Sequence, residues 1–322
     1  MKLRIIVTFA TLCLTLSGMS QATEEFKPGG KFFGAAFTNF YTSLTDGESA
    51  SGFALNRLEL GYNYNFSPKL SAKLCIDVGT LENQSSQDFS VFSRNAYLEY
   101  KDKGWTMDFG IITANAYNLQ ENFWSLRYVE KSYQDLYKYS ASRDLGAKIA
   151  YKFSKNLSAD LIVANGEGYK KMQRDSALRL GFGATIHPVE QLTLRAYYDF
   201  INKDETQGTM ALFAGYQVEN IAIGAEYNRM SNTSFVHGKD QSGVSAYAFV
   251  QATQKLKAFG RYDQRLSKDD WNLANDGDLF MAGLEYAPAK GVKLAPTFSG
   301  WNPKDGVQSF TSTFLLNCEI KF

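Results

Sequence analysis

The run Arg57-Leu58-Glu59-Leu60-Gly61-Tyr62-Asn63-Tyr64-Asn65-Phe66 is followed by Ser67-Pro68-Lys69 and then by Leu70-Ser71-Ala72-Lys73-Leu74-Cys75-Ile76-Asp77-Val78. In the first run Leu58, Leu60, Tyr62, Tyr64 and Phe66 alternate with Arg57, Glu59, Gly61, Asn63 and Asn65. In the second, Leu70, Ala72, Leu74, Ile76 and Val78 alternate with Ser71, Lys73, Cys75 and Asp77. A period of two places apolar side chains on one face of a strand and polar ones on the other. Ser67-Pro68-Lys69 between them has turn chemistry, so the pair reads as an antiparallel hairpin with one wet and one apolar face.

The same alternation recurs along the chain. About sixteen runs fall near 31–41, 53–66, 70–80, 91–101, 105–113, 142–153, 157–165, 176–187, 191–201, 208–218, 220–230, 242–252, 255–264, 278–287, 291–299 and 308–322. Their connections alternate too. Short ones such as Asp102-Lys103-Gly104, Ser154-Lys155-Asn156 and Pro288-Ala289-Lys290 take turns with long ones near 42–52, 81–90, 114–141, 166–175, 202–207, 231–241, 265–277 and 300–307. A soluble sandwich has no reason to sort its connections by length, whereas a membrane-spanning barrel has short turns at one end and long loops at the other. The expected fold is all-β: a transmembrane antiparallel β-barrel of about sixteen strands.

Composition agrees with a barrel. The 322 residues are 44% hydrophobic with no apolar run of the roughly 20 residues that a spanning helix needs. Aromatic residues make up 15% of the chain, and a barrel gives them a place. Tyr64, Phe66, Tyr100, Trp105, Tyr151, Phe153, Tyr216 and Tyr286 lie beside short turns, with Phe322 ending the chain; Tyr198, Phe200, Tyr227, Tyr262, Phe280 and Phe298 lie toward the long loops. These read as two girdles at headgroup depth. With 34 Lys+Arg against 33 Asp+Glu there is no basic surplus to neutralise phosphates, which excludes a nucleic-acid binder.

Residues 1–22 read as a secretory signal peptide: Lys2 and Arg4, an apolar stretch from Ile5 to Leu16, then small residues before a cut after Ala22. Residues 23–322 would then form the barrel, with no plug domain between Ala22 and Lys31, and would be placed in a bacterial outer membrane. Cys75 and Cys318 are too few for a disulfide framework.

Sixteen strands leave an aqueous channel where eight are filled by side chains. The alternation points Arg57, Lys73, Lys101, Lys148, Lys152, Arg179, Arg195, Lys257, Arg261, Lys293 and Lys321 inward, with Glu59, Asp77, Glu99, Asp108, Asp144, Asp160, Asp199, Glu226, Asp263, Glu285 and Glu319. That is eleven of each sign, which predicts weak selectivity. The third long connection, 114–141, is rich in rings and charge, and loops of this length are usually functional. It is expected to fold into the barrel and narrow it. Trp124, Tyr128 and the other tyrosines would pack on the wall, Arg127, Glu130 and Lys131 would face the lumen, and Glu121 and Asp135 would complete the constriction.

No nucleophile elbow, phosphate loop, His-Glu-x-x-His or Cys-x-x-Cys is present, so neither an enzyme nor a bound metal or cofactor is expected. His187 reads as a turn residue. Asp269, Asp270, Asn275, Asp276 and Asp278 read as a solvated acidic loop. Pro296 removes a ladder hydrogen bond and is expected at a bulge.

Several segments carry a family likeness: Asn56-Arg57-Leu58-Glu59-Leu60-Gly61, Arg94-Asn95-Ala96-Tyr97-Leu98-Glu99-Tyr100, Glu121-Asn122-Phe123-Trp124-Ser125-Leu126-Arg127-Tyr128-Val129-Glu130-Lys131, Ser142-Arg143-Asp144-Leu145-Gly146 and Val163-Ala164-Asn165-Gly166-Glu167-Gly168-Tyr169. The chain resembles the sixteen-strand outer-membrane porins, and within them those related to the phosphate-selective porins O and P, in their Bacteroidetes form. The resemblance implies a homotrimeric diffusion channel. Its partners would be outer-membrane lipid and lipopolysaccharide, and small hydrophilic solutes or ions, phosphate or other anions among them. The alternative is a plugged barrel whose surface loops bind a partner or serve adhesion.

Overall fold

The computed structural model of the protein describes residues 26–80 and 89–322. They form sixteen strands: β1 (Gly29–Thr45), β2 (Glu48–Asn65), β3 (Leu70–Thr80), β4 (Phe89–Asp102), β5 (Trp105–Thr113), β6 (Arg143–Lys152), β7 (Leu157–Ala164), β8 (Arg179–Ile186), β9 (Leu192–Asn202), β10 (Thr206–Val218), β11 (Ile221–Ser231), β12 (Gln241–Thr253), β13 (Leu256–Ser267), β14 (Gly277–Ala289), β15 (Val292–Pro303) and β16 (Thr311–Lys321). Two short helices, α1 (Asn118–Trp124) and α2 (Tyr133–Leu136), lie between β5 and β6. Each strand pairs with its sequence neighbours, and β1 pairs with β16 from Ala35↔Lys321 to Thr45↔Thr311, so the sheet closes. The seam is completed by Gly34 and Phe322, whose backbones exchange hydrogen bonds of 3.2 and 3.1 Å. Closure removes the unpaired edge groups that hydrocarbon cannot satisfy. The signal-peptide segment lies outside the described residues, as does 81–88 of the second long loop.

Alternation becomes burial. Along β8 every residue from Arg179 to Ile186 switches between buried and exposed, with Leu180, Phe182 and Ile186 outside and Arg179 inside. Leu58, Leu60, Leu74 and Ile76 are likewise exposed on the outer surface, where so large an apolar belt needs lipid against it. Among the described residues no helix is long and apolar enough to cross a membrane. The rings assigned to the girdles sit on this outer face, and several touch, such as Trp105 and Tyr151 at 4.3 Å.

Three local expectations change. The 42–52 segment is no long loop: β1 and β2 continue through it and turn at Asp46-Gly47, both with positive φ (53° and 84°), the geometry of a primed hairpin turn. Its strands are polar, Ser43 and Thr45 bonding Thr313 and Thr311 at 3.1 and 2.7 Å, so apolar alternation could not mark them. The 202–207 connection shrinks to three residues between β9 and β10. Pro296 marks no bulge. The register holds from Gly283↔Thr297 to Tyr286↔Leu294 and the ladder simply lacks pairs opposite Pro296, where the ring has no N–H to give.

Candidate functional site

The long insertion between β5 and β6 lies inside the barrel. Helix α1 ends at Ser125 in the left-handed conformation, its N–H bonding Glu121 O at 3.0 Å, and this turn drives Trp124 against the wall. Trp124 is buried among Tyr247 and Phe249 of β12 and Phe259 of β13, at ring distances of 5.2, 5.4 and 6.2 Å. Its indole N–H donates to Glu130 O at 2.8 Å, and the Arg261 guanidinium lies 5.0 Å from the ring centroid. Tyr128 donates to Glu285 at 3.0 Å, Tyr133 to the backbone of Gln264 at 3.0 Å, and Gln134 to Asn228 at 2.7 Å. Burial pushes the Tyr133 hydroxyl well up, so it stays a neutral donor.

Three wall arginines clamp this loop by one device. Arg195 pairs with Asp160 at 2.7 Å and donates to Asn115 O at 2.9 Å; Arg179 faces Asp199 at 4.0 Å and donates to Ser140 Oγ at 2.9 Å. Arg261 forks onto Asp263 at 2.8 and 2.6 Å and donates to Lys131 O at 2.6 Å. In each case the partner carboxylate offsets the cost of burying the cation and aims it. Glycines make room for the loop's rings. A Cβ at Gly243 would coincide with the Tyr133 hydroxyl, and one at Gly215 would stand 2.6 Å from Phe123.

The charged side chains of the loop are arranged as follows. Arg127 bridges Glu121 at 3.3 Å and Asp135 at 2.8 Å and lies in the field of Arg57. Lys131 is exposed. Glu130 turns back to accept the Lys131 N–H at 2.8 Å, and burial pushes its carboxyl up.

The expected wall residues separate into two groups. Most form local pairs: Lys148 with Asp108 at 2.8 Å, Lys101 with Glu99 at 2.7 Å near the short-turn end, Arg195 with Asp160, Arg179 with Asp199, and Lys257 and Lys293 with Glu285 at 3.0 and 3.1 Å. Arg57, Glu59, Lys73 and Asp77 instead join two cations that alternation missed, Arg94 and Arg143, which are 6% and 9% exposed. Arg94 escapes the pattern because a bulge between Cys75 and Ile76 leaves it without a register partner and turns both Arg94 and Asn95 inward. Arg143 begins β6, where the chain leaves the loop, and its Nε donates to Asn95 Oδ1 at 3.3 Å. Arg94 contacts Glu59, and Arg57 is 3.9 Å from both Glu59 and Asp77. Lys73 and Arg143 have no ion pair among the described residues, Lys73 resting over the Phe33 ring at 4.8 Å. Arg94 and Arg143 add two cations to the expected inward set, both beside Glu59 and Asp77; a third, Arg265 of β13, shares the inward face of Arg261 and Asp263 and lies 5.5 Å from the Tyr137 ring of the third loop.

No family model matches the chain, and no curated protein sequence matches it. Solved structures do. OmpF of Salmonella typhi, determined with daunomycin, superposes with a TM-score of 0.69 at 14% identity over 91% of this chain and 97% of that one. The outer-membrane channel DcaP of Acinetobacter baumannii gives 0.68 at 14% over 92% and 97%. An anion-selective porin from Comamonas acidovorans gives 0.68 at 11% over 92% and 100%. The fold is that of the outer-membrane porins. At these identities the likeness speaks for architecture.

Proposed function

We propose that the protein is an outer-membrane porin: a water-filled diffusion channel for small hydrophilic solutes, with a preference for anions and no enzymatic activity. The observation that carries this reading is the lumen itself, a closed barrel whose inner wall is lined with charge and whose surplus charge is positive. The barrel architecture and its porin neighbours support the channel. Around Glu59 and Asp77 four cations, Arg57, Lys73, Arg94 and Arg143, face two carboxylates, leaving two positive charges. The third loop carries three residues of each sign, Glu121, Glu130 and Asp135 against Arg127, Lys131 and Lys138, and returns no net charge.

The third loop sets the cut-off in this reading, held rigidly by Arg179, Arg195 and Arg261. Phosphate is one of the anions that such a surplus would favour. Export by a cleaved signal peptide, assembly as a homotrimer, and contact with lipid and lipopolysaccharide around the outer belt complete the proposal. Single-channel current of the purified protein across a planar bilayer under a salt gradient tests it. Stepwise openings with a reversal potential of anionic sign are expected. A folded barrel silent at every voltage would instead favour the plugged barrel with a surface binding role.

A further inference from the structure

The β7–β8 connection, 165–178, reads in the sequence as one more outer loop, yet it turns into the barrel. It bends at Gly166 and Gly168, with φ of 91° and 79°. Gly166 N–H donates to Asp144 at 2.7 Å and Tyr169 N–H to Arg143 O at 3.1 Å. The far side of the loop is fixed by Gln173, which donates to Asp175 O and Ala177 O at 2.6 and 2.8 Å, and by the Lys203–Asp175 pair at 2.7 Å. From this path Lys170 reaches across to β4, its Nζ 4.4 Å from the centroid of the Phe92 ring.

Tyr169 is thereby held beside Arg143, and Lys170 beside Phe92, the register partner of Asp77, which brings the loop to the edge of the cation cluster. Its side chain is half-buried, and its hydroxyl bonds no group among the described residues. The third loop packs on the opposite wall, around β12 and β13. The lumen is thus bordered by a loop from each side.

This inference rests on the reading of the barrel as a channel. We propose that Tyr169 and Lys170 form a second narrowing of the pore and, with Lys73, Arg94 and Arg143, a station that holds a small oxyanion, carboxylate or phosphate, in transit. Guanidinium, ammonium and phenol donors gathered on one side of the barrel, on β3, β4, the start of β6 and the β7–β8 loop, suit oxygen acceptors with charge, whose hydrogen bonds to such donors are short and strong. The ring of Tyr169 sets the width and its hydroxyl supplies a donor. One residue thereby contributes to size and to chemistry in ways that substitutions can separate.

The test uses the full protein in planar bilayers, with chloride as the carrier of current and inorganic phosphate or succinate as the blocking anion. Tyr169→Phe keeps the ring and should leave open conductance unchanged while weakening block roughly tenfold, the loss of one hydrogen bond to a charged acceptor. Tyr169→Ala should weaken block and also raise conductance, and Lys170→Gln should weaken block without widening the pore. Heat-modifiable gel mobility establishes that each variant is folded. Block by both anions supports a general oxyanion station; block by phosphate alone narrows it to phosphate. A wild-type channel that neither anion blocks, or a Tyr169→Ala channel with wild-type conductance and block, overturns the inference while the channel reading stands. A wild-type protein that passes no current removes the channel reading, and the inference falls with it.

Discussion

The inner wall from β2 to β6 and the inner wall from β10 to β14 line one lumen and are built in opposite ways. The second is a socket. Phe213, Tyr247, Phe249, Phe259 and Met281 turn apolar side chains inward, and the rings of the third loop pack on them. Its Arg261 is matched with Asp263 and committed to the loop backbone. The first is polar, and its cations outnumber its carboxylates. A covered wall ties its charges to fixed partners, Arg261 to Asp263, Glu226 to Asn228 and Arg265 to Gln241, because a buried charge without partners is costly. A wall left to water can carry a surplus, and a surplus is what a passing ion responds to.

The largest effect should come from emptying the socket. Trp124→Ala removes a ring buried against three aromatic side chains, and comparable truncations cost about 3–5 kcal/mol. Refolding in urea should show the loss, and bilayer recordings should show a larger and noisier conductance as the loop leaves the wall. A stable variant with wild-type conductance would mean that the loop neither fills nor narrows the lumen.

Charge reversal on the other wall comes next. Lys73→Glu with Arg143→Glu turns a surplus of two positive charges into a surplus of two negative ones, and the reversal potential should change sign. Lys257→Gln, on the paired side, removes a cation that Glu285 already balances at 3.0 Å and should move the potential less. If Lys257→Gln matched the double variant, the division into a balanced wall and a wall with surplus positive charge would be wrong.

All sixteen strands were legible because a barrel wall exposes one face to lipid and the other to water, so each strand prints its environment every second residue. The same rule supplies the inward expectations and misses side chains where it is locally broken, at the Arg94 bulge and at the Arg143 entry to β6, and where a strand outruns its apolar pattern, at Arg265. The first two misses hid the cations beside Glu59 and Asp77. The polar outer part of the β1–β2 hairpin, 42–52, stayed hidden because its short strands lack an apolar face to alternate. The seat of the third loop left a trace that alternation does not use: Gly215, Gly243, Tyr247 and Phe249 at inward positions otherwise expected to be wet. A glycine opposite a ring on the water side of a strand announces that something packs there. The inward path of the β7–β8 loop had no such signal, since it depends on contacts with Asp144, Arg143 and Phe92 far apart in sequence.

The smallest effect should come from the rim. Lys239 sits in the exposed connection between β11 and β12, its ammonium 5.4 Å from the Trp271 ring and open to solvent. In salt of 0.1 M a charge is screened within about 10 Å, so Lys239→Glu should leave the reversal potential where it was. At 0.01 M screening extends to about 30 Å, and a slight shift toward cations should then emerge. Lys73 and Arg143 lie at the wall, where ions must pass close by, so the effect of reversing them should persist at both salt concentrations. A Lys239→Glu shift of comparable size at 0.1 M would move selectivity from the β2–β6 wall to the mouth of the barrel.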